Sequence, residues 1–267
     1  MASSVVTQQN ALVTGAGLRL GREMALHLAK RGYRVGVHYR KSKQAADQLV
    51  SDIRQAGGAA EAVWADFEDE AALEALVPKT VEALGGPLTV LVNSASSFDY
   101  DSFAKSTRDV WDRNMQSNLR APFVLTQNFA KQAPEPLVDG QGEYRAQACI
   151  VNLLDQKMRK LTPYYTSYTL AKWGLWGLTQ TSAQGLAPKV RVNAIGPGTV
   201  LASDGMPEQQ VENHRKLTPL KRGASPVEIC ATLGYFLDCP SVTGQLVCVD
   251  GGQHLGWLTP EIAAPRH

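Results

Sequence analysis

Short apolar runs alternate with longer amphipathic segments along most of the chain. The runs are rich in Val, Leu and Ile and lack a two-residue alternation of polar and apolar positions. This composition is typical of strands that are buried on both faces of a parallel sheet. We predict strands at residues 11–14, 35–39, 61–65, 88–92, 148–154, 190–195 and 245–249.

The segments between these runs have apolar positions three and four residues apart, the spacing of one helical face. In the first of them, Leu20, Met24 and Leu28 fall on one side. Two further segments lack a clear period: 133–147, which we expect to be a surface excursion, and 196–220, which is long enough for a binding loop. The predicted helices cover residues 18–31, 43–55, 70–84, 108–132, 164–186 and 226–237.

This order of elements predicts an α/β fold, with a Rossmann-like, doubly wound parallel sheet of about seven strands and helices on both faces. No internal repeat or linker divides the chain, so we predict one domain over residues 1–267.

Composition narrows the class of protein. The 267 residues are 44% hydrophobic and 19% charged, which is ordinary for a globular protein, and the net charge of +2 is too small to indicate nucleic acid or a membrane surface as partner. The polar N-terminal residues lack the apolar run of a signal peptide, and no stretch reaches a membrane span of roughly 20 apolar residues. The four cysteines are scattered and the five histidines show no metal-ligand spacing. We therefore expect a cytoplasmic protein with free thiols and no metal.

A glycine-rich turn follows the first predicted strand directly. Residues 14–21 read Thr-Gly-Ala-Gly-Leu-Arg-Leu-Gly and lead into a helix. Such a turn lets the backbone approach a pyrophosphate at the positive helix N-terminus. The alternative is a tight turn without a ligand. The predicted cofactor contacts are Gly15, Arg19, Leu20 and Gly21.

The end of the second strand is basic. In dinucleotide-binding folds an acidic residue at about this distance holds the ribose 2′-hydroxyl. A carboxylate would repel a 2′-phosphate there, whereas Arg and Lys attract it, so we predict NADPH rather than NADH. The alternative is a solvated basic helix start. After the third strand, Asp66 is predicted to accept from the adenine amino group or to cap the next helix. The predicted ribose-end contacts are His38, Tyr39, Arg40, Lys41 and Ser42.

Three residues near the fifth strand carry candidate chemistry. Tyr168 and Lys172 are four residues apart in a predicted helix and so share one face. An ammonium beside a phenol lowers its pKa, so Tyr168 is predicted to donate a proton near neutral pH. Asp155 directly follows the fifth strand, at a strand end where such sheets place their chemistry.

The carboxylate of Asp155 narrows the substrate. An ionised carboxylate only accepts hydrogen bonds, so it suits the N–H groups of a heterocycle better than a ketone oxygen. It also disfavours a negative charge on Tyr168 and so keeps that proton available. These properties suit reduction of a ring C=N bond. The alternative is a structural acid that caps the following segment.

Further motifs follow the same order along the chain as the glycine turn and Tyr168 with Lys172. They are Asn93-Ser94-Ala95, Asn118, Pro197-Gly198 and Val249-Asp250-Gly251-Gly252. Together these motifs resemble the short-chain dehydrogenase/reductase family, over essentially the whole chain. The resemblance implies a homotetramer in which Tyr168 is the acid, Lys172 holds the nicotinamide ribose and tunes Tyr168, and Asn118 helps to order a proton-relay water. It also implies cofactor contacts at Asn93, Ala95, Pro197 and Gly198.

Two departures make the chain similar to the pteridine reductases within that family. The family usually has glycine where Arg19 stands and serine where Asp155 stands, and the segments 38–40 and 96–98 add to the similarity. The resemblance implies that Phe98 stacks on one face of a pterin, opposite the nicotinamide, while Ser96 and Arg19 touch cofactor phosphate and pterin. The alternative for Phe98 is an ordinary core aromatic.

The segment 198–220 is expected to cover the substrate and to contribute Leu201, with Met206 nearby. His214 in the same segment is expected to have no chemical role. The apolar tail at 256–258 is expected to pack on a neighbouring subunit.

The sequence thus predicts an NADPH-dependent reductase acting on a small molecule. The favoured substrate is a dihydropterin, reduced to the tetrahydropterin, with oxidised pterin or folate as further candidates. Two alternatives stay open: a carbonyl or alcohol reductase of the same family, and a non-catalytic NADP-binding protein.

Overall fold

A computed structural model describes residues 8–201 and 207–256. Seven parallel strands form one sheet in the order β3-β2-β1-β4-β7-β8-β9, which confirms the predicted doubly wound architecture. Two further short strands, β5 and β6, form an antiparallel hairpin inside the aperiodic segment 133–147. The strands are β1 (Asn10–Val13), β2 (Arg34–Tyr39), β3 (Ala60–Trp64), β4 (Leu88–Asn93), β5 (Leu137–Val138), β6 (Tyr144–Arg145), β7 (Ala148–Leu153), β8 (Val190–Pro197) and β9 (Leu246–Val249).

Helices cover both faces of the sheet. Alternate residues of β1 point to opposite layers, since Ala11 and Val13 pack in one apolar cluster and Leu12 packs in the other. No helix in the described ranges is long and apolar enough to cross a membrane. The α-helices are α1 (Arg19–Lys30), α2 (Lys43–Gln55), α3 (Glu70–Leu84), α4 (Arg108–Met115), α5 (Ala121–Gln132), α6 (Thr166–Gly185), α7 (Glu208–Leu217) and α8 (Pro226–Asp238).

The prediction of one uninterrupted helix over residues 108–132 is wrong. A π-helical turn, Gln116–Arg120, separates α4 from α5. Pro122 in the first turn of α5 has no N–H and cannot donate to the carbonyl four residues earlier, so a regular α-helical ladder cannot continue there. The carbonyl that loses this donor belongs to Asn118, one of the predicted catalytic residues.

Two other differences from the sequence prediction lie near the site. Helix α6 begins at Thr166 and not at Tyr164, because Tyr165 has a left-handed backbone with φ of 57°. The segment 196–220, predicted to be a loop, contains α7.

Candidate active site

The carboxyl ends of β1, β4, β7 and β8 lie side by side at one edge of the sheet. These four strand ends lead into the glycine turn, the segment after Asn93, Asp155 and Gly198 respectively. Ligands of open α/β sheets bind at this edge. The strand order therefore brings together motifs that are far apart in the sequence.

His38 supports the glycine turn through a hydrogen bond. The Gly15 N–H donates to Nδ1 of His38 across 3.0 Å, and Nε2 lies 3.1 Å from the Ala65 carbonyl oxygen. The ring stacks on Phe67 at 4.8 Å, and burial lowers the pKa of His38 to about 4. The imidazole is thus neutral, with Nδ1 as acceptor and Nε2–H as donor. We predicted a cofactor contact at His38, but both ring nitrogens are engaged by the protein, so its side chain supports the turn.

The start of α1 is suited to an anion. Its N-cap, Leu18, provides no side-chain hydrogen bond, and the first turn contains no acidic residue. A Cβ at Gly21 would overlap the Gly15 carbonyl, which explains the glycine. Arg19 is exposed with a left-handed φ of 53°, and Leu20 is half-buried against the core. The N-terminal N–H groups and the dipole of α1 therefore favour a pyrophosphate at this turn.

The basic segment after β2 lies beside two acids. The exposed guanidinium of Arg40 is 3.3 Å from the Glu68 carboxylate and 3.7 Å from that of Asp66. Asp66 also accepts from the Glu68 N–H, and it does not cap α3, which corrects one of our two readings; the cap is Asp69. Lys41 is exposed and Ser42 half-buried.

Two predicted ribose-end residues have supporting contacts. Tyr39 is half-buried and packs against the apolar cluster between the sheet and α1. The hydroxyl of Ser42 lies close to Gly17, where a Cβ would come within 2.9 Å of it. The turn and the basic segment are therefore in direct contact.

Asp155, Tyr168 and Lys172 converge as predicted. The Tyr168 hydroxyl donates to Oδ2 of Asp155 across 3.2 Å. The Lys172 ammonium donates to the Leu153 carbonyl across 2.7 Å and lies 5.7 Å from the centre of the Tyr168 ring. Tyr168 and Lys172 are 5% and 2% exposed, so their interactions act with little screening by water.

The pKa of Tyr168 is shifted in the direction opposite to the predicted one. Burial raises the pKa of Tyr168 well above 10, and the Asp155 carboxylate raises it further. The predicted lowering by Lys172 is wrong, because desolvation of the phenolate dominates. Burial also lowers the pKa of Lys172 to about 8, against the opposing effect of Asp155. Tyr168 is therefore protonated at neutral pH, as the argument from Asp155 anticipated.

Asp155 caps the segment that follows it, which was the structural alternative in our prediction, and it also contacts Tyr168. Its Oδ1 accepts from the Lys157 N–H across 2.8 Å and caps the short 3₁₀ helix Gln156–Met158. Its Oδ2 contacts the Tyr168 hydroxyl and lies 3.5 Å from the Lys157 ammonium. The sequence argument did not identify Lys157.

Phe98 is not a core aromatic, since 39% of it is exposed. Tyr165 stacks on it with ring centres 4.3 Å apart and planes 11° apart, and Tyr168 meets it edge to face at 4.8 Å. Tyr165 therefore covers one face of Phe98 and leaves at most one for a planar ligand. Tyr165 was also missed, because a left-handed tyrosine before a helix has no local sequence signature.

The start of α6 is fixed by a buried acid that the sequence argument missed. Asp101 is completely buried, and its two carboxylate oxygens accept from the Ser167 N–H at 3.2 and 3.1 Å. Its carbonyl accepts from the Tyr165 N–H. Asp101 therefore sets the position of the residues just before Tyr168.

Asn118 is buried in the π-helical turn, with its amide group engaged by the protein. Its Nδ2 donates to the carbonyls of Ser97 and Asn114, each across 3.0 Å, and its Oδ1 accepts from the Ser96 hydroxyl across 2.6 Å. The side chain thus joins the turn to the segment that carries Phe98. The backbone carbonyl of Asn118, which has no donor from Pro122, is the acceptor that we expect a water to use.

Asn93 and Ala95 lie beside the glycine turn. Asn93 donates to Oδ1 of Asn152 across 2.8 Å, while its own buried Oδ1 has no partner among the described residues. The Ala95 N–H donates to the Thr14 hydroxyl, and a Cβ at Gly15 would come within 2.9 Å of the Ala95 Cα.

The far side of the site is formed after β8. Pro197 ends the strand, and the Gly198 N–H donates to the Val249 carbonyl across 3.0 Å. The Arg19 guanidinium donates to the Leu201 carbonyl at 3.4 Å, which links the glycine turn to this segment. His214 is half-buried on α7. The predictions for Met206 and for residues 257 and 258 lie outside the described residues.

Comparisons with known proteins identify the family to which the chain is similar. The family model described as "Enoyl-(Acyl carrier protein) reductase" matches residues 15–254. A 3-oxoacyl-[acyl-carrier-protein] reductase of Staphylococcus aureus is 30% identical over 252 residues, which cover 92% of this chain and 98% of the relative. A short-chain dehydrogenase/reductase of Armillaria gallica is 32% identical, with 94% and 98% covered.

Solved structures are also similar over nearly the full length. The FolM alternative dihydrofolate reductase 1 from Brucella suis, in complex with NADP, is 36% identical with a TM-score of 0.89, covering 97% of this chain and all of that one. The angucycline C-6 ketoreductase LanV with bound NADP is 25% identical with a TM-score of 0.83, covering 93% and 96%.

Proposed function

This chain belongs to the short-chain dehydrogenase/reductase family, and from that premise we propose that it is an NADPH-dependent reductase of pterins. The reaction is reduction of a dihydropterin to a tetrahydropterin. The observation that carries the proposal is the hydrogen bond of 3.2 Å between the Tyr168 hydroxyl and the Asp155 carboxylate. A family member that binds a ketone oxygen gains nothing from an acceptor-only group at this position.

The residues present suit NADPH. The uncapped start of α1 would hold the pyrophosphate, and Arg40 with Lys41 would hold the 2′-phosphate. The Oδ1 atom of Asn93 is buried without a partner among the described residues, so it would accept a hydrogen bond from the cofactor. Lys172 would contact the nicotinamide ribose. When bound, NADPH supplies the hydride. Similar structures that contain NADP support this choice.

Tyr168 would supply the proton. A C=N bond that gains a hydride on carbon must gain a proton on nitrogen, and the phenol of Tyr168 is protonated at neutral pH. The Lys172 ammonium, 5.7 Å from the ring centre, would stabilise the phenolate that remains. The backbone of Asn118 would order water for reprotonation.

Asp155 would select the substrate. Because Oδ1 is occupied by the Lys157 N–H, Oδ2 is the oxygen that faces Tyr168 and is open to an N–H donor of the substrate. Phe98 and Ser96 would line the same cleft, with Arg19 and Leu201 opposite. The 36% identity to alternative dihydrofolate reductases supports a substrate with a pterin ring.

A second candidate is a carbonyl reductase. Its support is the 30% identity to 3-oxoacyl-[acyl-carrier-protein] reductases and the similarity to a ketoreductase. The Tyr168–Lys172 pair serves either reaction, so the two candidates differ chiefly at Asp155.

The two candidates are separated by following NADPH oxidation with dihydrobiopterin, dihydromonapterin, dihydrofolate, folate and simple ketones. The proposal predicts turnover of at least one dihydropterin with little turnover of ketones, and loss of all turnover in Tyr168→Phe. Turnover of ketones alone would reject the pterin assignment. The family resemblance also leads us to propose a homotetramer, which a mass measurement by light scattering tests.

A further inference from the structure

Lys157 places a second ammonium in the site. It belongs to the 3₁₀ helix that Asp155 caps, and only 17% of its side chain is exposed. A lysine in a solvated ion pair would be far more exposed. Its position therefore calls for an explanation beyond a surface charge.

The ammonium of Lys157 has more N–H donors than it has acceptors among the described residues. It carries three N–H groups, and its one hydrogen-bond acceptor among the described residues is Oδ2 of Asp155. At 3.5 Å that contact is longer than the usual N–H···O distance of about 2.7–3.2 Å, and the same oxygen accepts from Tyr168. The other N–H groups of Lys157 are therefore donors that an acceptor on a ligand in the cleft can engage.

The distances to three aromatic rings locate the Lys157 ammonium in the site. The Lys157 nitrogen is 5.2 Å from the ring centre of Phe98 and 5.5 Å from that of Tyr165. Because these stacked rings are 4.3 Å apart, a nearly equidistant ammonium must lie beside the stack and not above an outer face. It is also 5.9 Å from the Tyr168 ring centre. The charge thus lies beside the Phe98–Tyr165 stack, next to the proton donor Tyr168.

We propose that Lys157 and Asp155 together recognise one edge of the substrate ring. Asp155 accepts from a ring N–H or amino group, and Lys157 donates to the neighbouring oxo group. A lactam edge, such as that of a 2-amino-4-oxopteridine, carries both features side by side. Lys157 is then a specificity-determining residue that favours 4-oxo over 4-amino rings.

This role rests on the proposed function, because it requires a pterin-like ring in the cleft. A competing explanation is that Lys157 only neutralises Asp155. The two explanations differ for a 2,4-diamino ring, which retains donors for Asp155 but offers Lys157 an amino group in place of the oxo group.

The test compares wild type with Lys157→Met and Lys157→Arg. Neither substitution removes the backbone N–H of residue 157, which donates a hydrogen bond to Asp155. KM and kcat are measured for a 4-oxo dihydropterin with NADPH, and the inhibition constant is measured for 2,4-diaminopteridine. Lys105→Met, at an exposed position in the segment that follows Phe98, is the matched control.

We expect Lys157→Met to raise KM at least tenfold with kcat changed less than threefold, and Lys157→Arg to stay within threefold of wild type. Inhibition by the diaminopteridine should be unchanged or stronger in Lys157→Met. An unchanged KM, an equal loss in Lys157→Arg, or an equal loss of diaminopteridine inhibition would overturn the role of Lys157 alone. Wild-type enzyme that reduces only ketones would overturn the proposed function as well.

Discussion

The Tyr168 hydroxyl donates to Oδ2 of Asp155 across 3.2 Å, so the phenol proton points at a carboxylate that cannot itself donate. Tyr168 keeps this proton at neutral pH, because both burial and Asp155 raise the pKa of Tyr168. In the proposed reaction, a ring nitrogen of the substrate takes the place of Asp155 as the acceptor before the proton moves. The same carboxylate is then free to bind an N–H of that ring.

The pH dependence of the reaction should report Lys172. Its pKa is about 8, so the ammonium is lost as pH rises through that value, whereas Tyr168 stays protonated. We expect kcat/KM for the dihydropterin to be level below this pKa and to fall about tenfold per pH unit above it. A pH profile from 6 to 10 measures the effect.

Lys172→Arg is the control, because a guanidinium does not lose its proton in this range. The alkaline limb should disappear from whatever activity the variant retains. A wild-type profile that stays level up to about pH 10 would instead indicate the usual pKa of a free lysine.

The choice of cofactor should depend on Arg40. A charge-assisted hydrogen bond contributes about 1.5–3 kcal/mol, so Arg40→Ala should lower kcat/KM for NADPH by about 10- to 100-fold and leave NADH nearly unchanged. Wild type should prefer NADPH. Steady-state kinetics with both cofactors measure this, and Arg108→Ala, which removes an exposed arginine paired with Asp112, is the control. A wild-type preference for NADH would reject the phosphate site.

The glycine turn should weaken in acid because of His38. Its pKa falls from 6.5 to about 4 on folding, so the unfolded chain binds the extra proton between these values. Stability is therefore fully present above pH 6.5 and declines as pH falls toward 4, by up to about 3 kcal/mol. Protonation also removes the acceptor of the Gly15 N–H.

Urea unfolding at the two ends of this range measures the loss. His38→Gln keeps an acceptor and a donor without the titration, so it should lose less stability in acid than wild type, whereas His214→Gln should behave as wild type. If His38→Gln shows the same acid sensitivity as wild type, the decline arises elsewhere.

Much of this fold and site follows from local patterns. The buried strands were visible as apolar runs, and parallel strand order then brings Asp155 to the edge that holds the glycine turn. The four-residue spacing of Tyr168 and Lys172 is fixed by the helix. Lys157 and Asp101 could not be found in this way, because their roles depend on contacts made only in the folded chain.

The pKa of Tyr168 shows the same limit. The sequence places an ammonium near the phenol, which argues for a lower pKa. Only the structure shows that Tyr168 is buried and bonded to Asp155, and these two effects prevail. Likewise, Pro122 was visible in the sequence, but its consequence for the helix around Asn118 depends on the competing π-helical geometry.

We propose that Asp155 makes this site a pterin site. The most direct test is the ratio of kcat/KM for a dihydropterin to that for a simple ketone, in wild type and Asp155→Ser. Serine can also cap the 3₁₀ helix, so the fold is preserved, and NADPH binding should survive. We predict a ratio far above one in wild type and a loss of dihydropterin reduction of at least about 100-fold in the variant, because a largely buried charged acceptor is removed. Full dihydropterin activity in Asp155→Ser would contradict this proposal.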